Sequence, residues 1–298
     1  MITTFAQLES QAKDRPSKLV AVAMAEEPDV LTALAHAFTA DIVHPILVGD
    51  PNAITAAAEK CSADISPFQI VEARGEDEAA AAAVKMVRTG EADLLMKGKV
   101  PTATLMKAVF NKETGLKSEG VLSHVTVIEV PQFKKMILMS DPGLNIEPDL
   151  RTKAAIITNA VAVAHSFGIE KPKVAVVGAV EKVNPAMPTT IDAAALSKMA
   201  DRGQIRGCLI DGPFALDNAL SKKSCETKGI ETEVGGDLDI LLMPNIDAAN
   251  IFYKTLAYLT EYRMAGIIMG GGKPIILTSR ADSDAIKYNS ILTGVSLA

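Results

Sequence analysis

Cysteine is scarce in this chain: Cys61, Cys208 and Cys225 are odd in number and form no CxxC pair. That argues against a disulfide framework, and reduced thiols in a cytoplasmic protein are the expectation. Histidine is nearly as sparse. His36, His44, His124 and His165 lie far apart and never at a ligand spacing such as HxxxH, so no metal site is expected. No apolar run reaches about 18 residues, and the opening MITTFAQLESQAKDRP has no basic stretch leading into an apolar core. Neither a membrane span nor a signal peptide is expected. A basic excess is missing too. The net charge of −6 argues against a nucleic-acid binder, while leaving room for a local basic pocket that takes one small anion. Two nucleotide motifs fail as well. No GxGxxG follows a strand-like run, and at Gly272-Lys273 the P-loop pattern lacks its first glycine and ends in Pro274.

What the chain does have is apolar residues, 48% of 298, against 22% charged. Its length favours two domains over one. Short β-rich runs at 18–24, 44–48, 68–72 and 92–96 are separated by alanine-rich stretches, of which 76–88 (EDEAAAAAVKMVR) is the clearest helix. Continuous apolar strands alternating with helices predict a parallel sheet covered on both faces. Runs at 121–130 and 135–139 predict two strands joined by a short proline-containing turn, making the sheet mixed there. A helix over about 149–167 stops at Gly168. The alternation then restarts, with strands at 173–177, 206–211 and 239–243 and helices at 189–201, 213–221 and 246–260. Apolar runs at 265–269 and 274–278 precede a closing helix from about 282. The fold class is therefore α/β with two domains. The first spans 1–140 plus about 274–298, and the second 141–273.

Several loops after apolar strands hold groups suited to an anion, which is where open α/β sheets bind ligands. In 278–284 (TSRADSD), Ser279 and Arg280 sit between a strand and a helix start. Either the segment is an ordinary helix cap, with Ser279, Asp282 or Ser283 taking the free amides, or Ser279 and Arg280 form an oxyanion and phosphate site. The glycines 270–272 before Lys273 read either as a turn between strands or as an anion cradle. In 244–254 (PNIDAANIFYK), capping explains Asn245 but explains Asn250, one helical turn before Lys254, poorly. Lys97 and Lys99 follow another strand. Asp211 in LIDGP is either a turn former or a pocket group.

On the segments 244–254 and 273–283 (KPIILTSRADS, with the spacing K-P-x4-S-R), the chain resembles the phosphate acetyl/butyryl transferase family. The stretches 96–108 and 184–213 resemble its butyryl branch. The resemblance runs in order from about residue 18 to the end. It implies two domains of the isocitrate/isopropylmalate dehydrogenase type with a shared cleft, and homodimers or higher homo-oligomers. It also implies interconversion of a short-chain acyl-CoA and phosphate with acyl phosphate and CoA. No cofactor is implied, since the coenzyme A ester and phosphate are substrates. Carried over, Ser279 would meet the carbonyl oxyanion, Arg280 would bind phosphate, and Asp282 or Asp284 would take the thiol proton. The substrate-binding set is Lys97, Lys99, Lys107, Ser123, Asn145, Asp211, Asn245, Asn250, Lys254 and Lys273. Acetyl-specific relatives read T-L-R where this chain has Thr104-Leu105-Met106, which leaves Lys107 as the nearest cation. The alternatives carried forward are an acetyl-specific phosphotransacetylase, a metal- and NAD(P)-dependent β-decarboxylating dehydrogenase of the same fold, and a non-enzymatic CoA-ester sensor.

Overall fold

The computed structural model describes residues 1–116 and 120–298. The chain divides into two compact units, a terminal one of Phe5–Gly120 with Arg263–Ala298 and a central one of Met1–Thr4 with Val121–Tyr262. Sequence reading set the bounds at 140/141 and about 273/274; segment 121–140 lies in the central unit and 263–273 in the terminal one.

The terminal unit opens with α1 (Phe5–Lys13), β1 (Lys18–Ala23), α2 (Pro28–Thr39), β2 (Val43–Gly49), α3 (Pro51–Cys61), β3 (Gln69–Glu72), α4 (Gly75–Thr89), β4 (Leu94–Lys97) and α5 (Thr102–Val109). The central unit carries β5 (Ser123–Glu129), β6 (Ile137–Ser140), α6 (Leu150–Ser166), β7 (Lys173–Val177) and α7 (Pro188–Asp201). It continues through β8 (Leu209–Phe214), α8 (Leu216–Leu220), α9 (Lys222–Lys228), β9 (Ile240–Leu242) and α10 (Ile246–Leu259). The chain then returns to the terminal unit with β10 (Arg263–Met269), β11 (Ile275–Ile276) and α11 (Asp284–Leu297).

In the terminal unit the strand order is β3-β2-β1-β4-β11-β10, with every neighbouring pair parallel except β10 and β11. β4 is buried at all of its positions and apolar up to its last residue, Lys97, as expected of a strand with helices on both faces. α4 illustrates the local logic. Glu76, Asp77 and Glu78 complement the positive helix start, and Arg88 the negative end. Ala79, Ala80, Ala83, Val84 and Val87 form the buried face. In the central unit the order is β5-β6-β9-β7-β8, antiparallel only between β5 and β6, as the proline-containing turn at Pro131 predicted.

Three expectations shift. The strand read at 206–211 runs three residues later and continues through Gly212-Pro213, which had been read as its terminating turn. β8 is the last strand in its unit's order, and an edge tolerates a proline that donates no ladder bond. The helix read at 213–221 is two short ones, because Ser221 caps a new start by accepting the Ser224 amide. The strand read at 274–278 is only Ile275–Ile276.

Gly98, directly after β4, lies tightly against the backbone at the end of β1. A Cβ there would lie 2.3 Å from the Met24 carbonyl oxygen and 2.8 Å from that of Ala23. Both are main-chain atoms that cannot swing aside. Gly98→Ala is expected to cost about 1–3 kcal/mol of stability in a urea titration, from the overpacking it forces. A midpoint equal to that of the unchanged chain would mean that the β4 end can move.

Candidate active site

In the terminal unit, parallel pairing places Ile275 opposite Leu95 and Ile276 opposite Met96. The segments leaving β4 and β11 therefore emerge at the same sheet end. That brings Lys97 and the loop 277–283 into one neighbourhood.

The loop is a tight, self-bonded turn. Asp282, 8% exposed, accepts the Ser279 amide at 2.6 Å on Oδ2, and its own amide donates to the Ser279 carbonyl at 3.1 Å. Ser279 Oγ accepts the Ala281 amide at 3.4 Å, which uses a lone pair and leaves the hydroxyl hydrogen to be directed elsewhere. The helix cap is not Ser279 but Ser283, whose Oγ accepts from the Ile286 amide at the start of α11. Of the two readings held for this loop, capping therefore falls to Ser283. Ser279 and Arg280 stand exposed in the turn itself.

Lys97 ends β4 only 4% exposed and donates from Nζ to the Gly98 carbonyl at 3.0 Å. Burial holds its ammonium below the ordinary lysine pKa. Glu27 pulls that value back up, Arg280 and Lys287 push it further down, and Asp282 acts weakly upward. These groups are thus close enough to form one electrostatic cluster around the turn. Lys99, more exposed, reaches Glu26 Oε2 at 3.8 Å.

Two other terminal-unit candidates have settings of their own. Lys107 is exposed on α5 and pairs with Asp77 of α4 at 3.2 Å. Lys273 and the three glycines form the turn of the antiparallel β10–β11 hairpin, so they enter β11 at the end opposite Ser279. Gly270 and Gly272, with φ of 99° and 75°, supply the left-handed backbone that this turn needs. Of the two readings of the glycines, the structure therefore displays the hairpin turn.

The central-unit candidates form a second group, and three of the six, Asn145, Asn245 and Asn250, fasten the loop between β6 and α6. Asn145 donates to the Leu122 carbonyl at 2.8 Å and to Asp141 Oδ2 at 2.5 Å. Asn250 donates to the Pro142 carbonyl at 3.2 Å, and Asn245 to Glu147 at 2.9 Å while capping α10 through the Ala248 amide. Asn250, unexplained by capping, thus has a partner across 108 residues of chain. Buried Ser123 accepts from Asn159 at 2.8 Å. Asp211 accepts the Gly212 amide at 2.8 Å and the Thr232 hydroxyl at 2.6 Å. Lys254 lies 5.1 Å from the centre of the Tyr253 ring.

Sequence reading missed Glu27 and Lys287. Neither sits in a motif, and only the packing of α2 and α11 around the loop reveals them. Among the described residues no cluster of three or more His, Cys, Asp or Glu is arranged to hold a metal ion, and no helix is long and apolar enough to cross a membrane.

Cationic groups on strand-end loops of an α/β sheet suit the binding of an anionic ligand. Comparison with known proteins supplies the class. Residues 76–295 match the family described as Phosphate acetyl/butaryl transferase. The chain is 47% identical over 298 residues to a phosphate butyryltransferase of Clostridium acetobutylicum, covering 100% of this chain and 99% of that protein. It is 45% identical over 285 residues to a phosphate acetyltransferase of Thermotoga maritima, 96% of each. A solved branched-chain phosphotransacylase from Enterococcus faecalis V583 superposes with a TM-score of 0.83 at 30% identity, over 94% of this chain and 98% of that one. The chain belongs to the phosphate acetyl/butaryl transferase family and is a phosphate acyltransferase.

The Lys97 ammonium should cost stability. Its pKa is lowered on folding, so the cost is fully present at neutral pH and fades as pH rises through the lowered value. Lys97→Met is expected to raise Tm at pH 7 by about 2–4 °C, the gain narrowing toward pH 10, while phosphate binding measured by calorimetry weakens. A lower Tm at pH 7 would show that the ammonium is fully compensated.

Proposed function

We propose that the chain interconverts butyryl-CoA, or a similar short-chain acyl-CoA, and phosphate with acyl phosphate and CoA. The observation that carries this reading is the buried Lys97 in electrostatic reach of Arg280, beside an exposed Ser279 on a turn whose amide is already taken. A phosphate held by Arg280 and Lys97 would have one oxygen free to attack the acyl carbonyl carbon. Its guanidinium partner aligns it and offsets its charge. As the new C–O bond forms, the carbonyl electron pair moves to oxygen, and the Ser279 hydroxyl donates to that oxyanion. One such donor contributes about 3–4 kcal/mol of transition-state stabilisation. Collapse expels the CoA thiolate, which takes up a proton. In the reverse direction a free thiol, with a pKa of about 8.5, needs a base to raise its thiolate fraction. We assign that base to Asp284, exposed in the first turn of α11, because Asp282 spends its carboxylate on the Ser279 amide.

The substrate-binding roles of Lys99, Lys107, Lys273, Ser123, Asn145, Asp211, Asn245, Asn250 and Lys254 belong to the same proposal and rest on their motifs. So does the isocitrate/isopropylmalate dehydrogenase type of domain, which the two compact α/β units support. A cytoplasmic homodimer or larger homo-oligomer completes the reading. Ile251, Tyr258 and Leu259, 67%, 75% and 78% exposed on α10, are the large apolar side chains that support a partner surface.

An acyl-CoA series and three variants test this. Phosphate-dependent release of CoA thiol, followed across a C2–C6 acyl-CoA series, should peak near C4. Release with none of them would remove acyl transfer from consideration, and a C2 optimum would favour the acetyl-specific alternative. Ser279→Ala should fold normally and lose about 10²–10³ in kcat. Asp284→Asn should slow the CoA-acylating direction with an unchanged melting curve, whereas Asp282→Asn should loosen the turn and lower Tm. An Asp284→Asn enzyme at full rate would return the base assignment to Asp282.

A further inference from the structure

α11 is buried on all sides from Ile286 to Ser296, and one charged residue lies inside it. Lys287 is 1% exposed. Its Nζ pairs with Glu27 Oε1 at 3.0 Å and donates to the main-chain carbonyl of Asp282. Glu27 occupies the residue before α2, just beyond the end of β1, and makes no capping bond there. Asp282 in turn closes the loop by accepting the Ser279 amide at 2.6 Å. A continuous path thus runs from the β1 end through Glu27, Lys287 and Asp282 to the backbone of Ser279.

A buried ion pair is a poor way to gain stability, since apolar side chains of similar volume often serve as well or better. What it can do is select one arrangement of the groups around it. Here the group selected is a main-chain carbonyl inside the proposed reactive turn. We infer that Lys287, anchored by Glu27, is a positioning residue for acyl transfer, holding the Ser279–Asp282 turn so that the Ser279 hydroxyl and the Arg280 guanidinium are presented together. This rests on the roles proposed above for Ser279 and Arg280. The pair has a second effect. Glu27, Arg280, Lys287 and Asp282 all act electrostatically on Lys97, Lys287 and Glu27 with opposite sign.

The experiment compares Lys287→Met, Lys287→Arg, Glu27→Gln and the double variant Glu27→Gln/Lys287→Met, each checked by thermal melt. Lys287→Met is expected to lower kcat by about 10–100-fold, the scale of a small misplacement of reacting groups. The KM for acyl-CoA should change far less than the KM for phosphate. With one cation fewer facing Lys97, the alkaline rise of the phosphate KM should move to higher pH. Glu27→Gln should move it lower. The double variant should restore its position while the rate stays low, because the charge balance returns and the support does not. Lys287→Arg should recover part of the rate. A folded Lys287→Met, or the double variant if the single one fails to fold, with unchanged kcat and phosphate KM overturns the inference. So does a set of variants in which only Tm moves. An unchanged enzyme that releases no CoA would instead overturn the proposed function. Calorimetric binding of inorganic phosphate then decides the inference separately: weaker in Lys287→Met supports it, equal affinity rejects it.

Discussion

A parallel pairing only two residues long, Ile275 on Leu95 and Ile276 on Met96, carries the rest of the proposed chemistry. Because β11 runs with β4, whatever follows one strand emerges beside whatever follows the other. Lys97 and the Ser279–Arg280 turn are neighbours for that reason, although 182 residues separate Lys97 from Ser279. The antiparallel β10 on the far side of β11 sends the glycine turn and Lys273 to the opposite end. An anion site on strand ends is familiar in open α/β sheets. Here a hairpin inserted into a parallel sheet decides which motif reaches it.

Around that pairing the terminal unit tolerates costly groups. Lys97 and Lys287 are both nearly sealed from water, and burial of an ammonium is unfavourable unless charges and carbonyls meet it. Glu27, Asp282 and the main-chain carbonyls of Gly98 and Asp282 meet them. In the proposed reaction Lys97 and Arg280 would supply the positive field that a phosphate dianion requires. The central unit has another economy of polar groups. Asn145, Asn245 and Asn250 each donate to the loop after β6, so neutral amides hold a ledge without adding charge.

Much of the α/β pattern was legible in the residues. The runs at 18–24, 44–48 and 173–177 became strands, 76–88 became α4, and 149–167 became α6 ahead of Gly168, because apolar continuity and alanine-rich periodicity are local properties. The reading faltered where a neighbour overrides local preference. Gly212-Pro213 looks like a turn yet extends β8, since an edge position forgives the missing donor. The closing helix expected from about 282 came with no expectation of burial, and it holds the polar Lys287, Asn289, Ser290, Thr293 and Ser296. Its burial is possible because each of these groups bonds to a carbonyl or side chain of the same unit, as Asn289 does in donating to the Met264 carbonyl at 3.3 Å.

By itself, the sequence determined the class of element along most of the chain, the absence of metal-ligand spacings, and the family, through motifs at 244–254 and 273–283. Short-range spacing and hydrophobic period are sufficient for those. Only the tertiary structure decided that Ser279 leaves the capping of α11 to Ser283, that Asp282 is spent on the turn, that Lys273 enters β11 at the end opposite Ser279, and that Glu27 and Lys287 stand behind the loop. Each of these depends on which strand pairs with which and on what a helix packs against. Such contacts join residues far apart in the chain, and no local pattern records them.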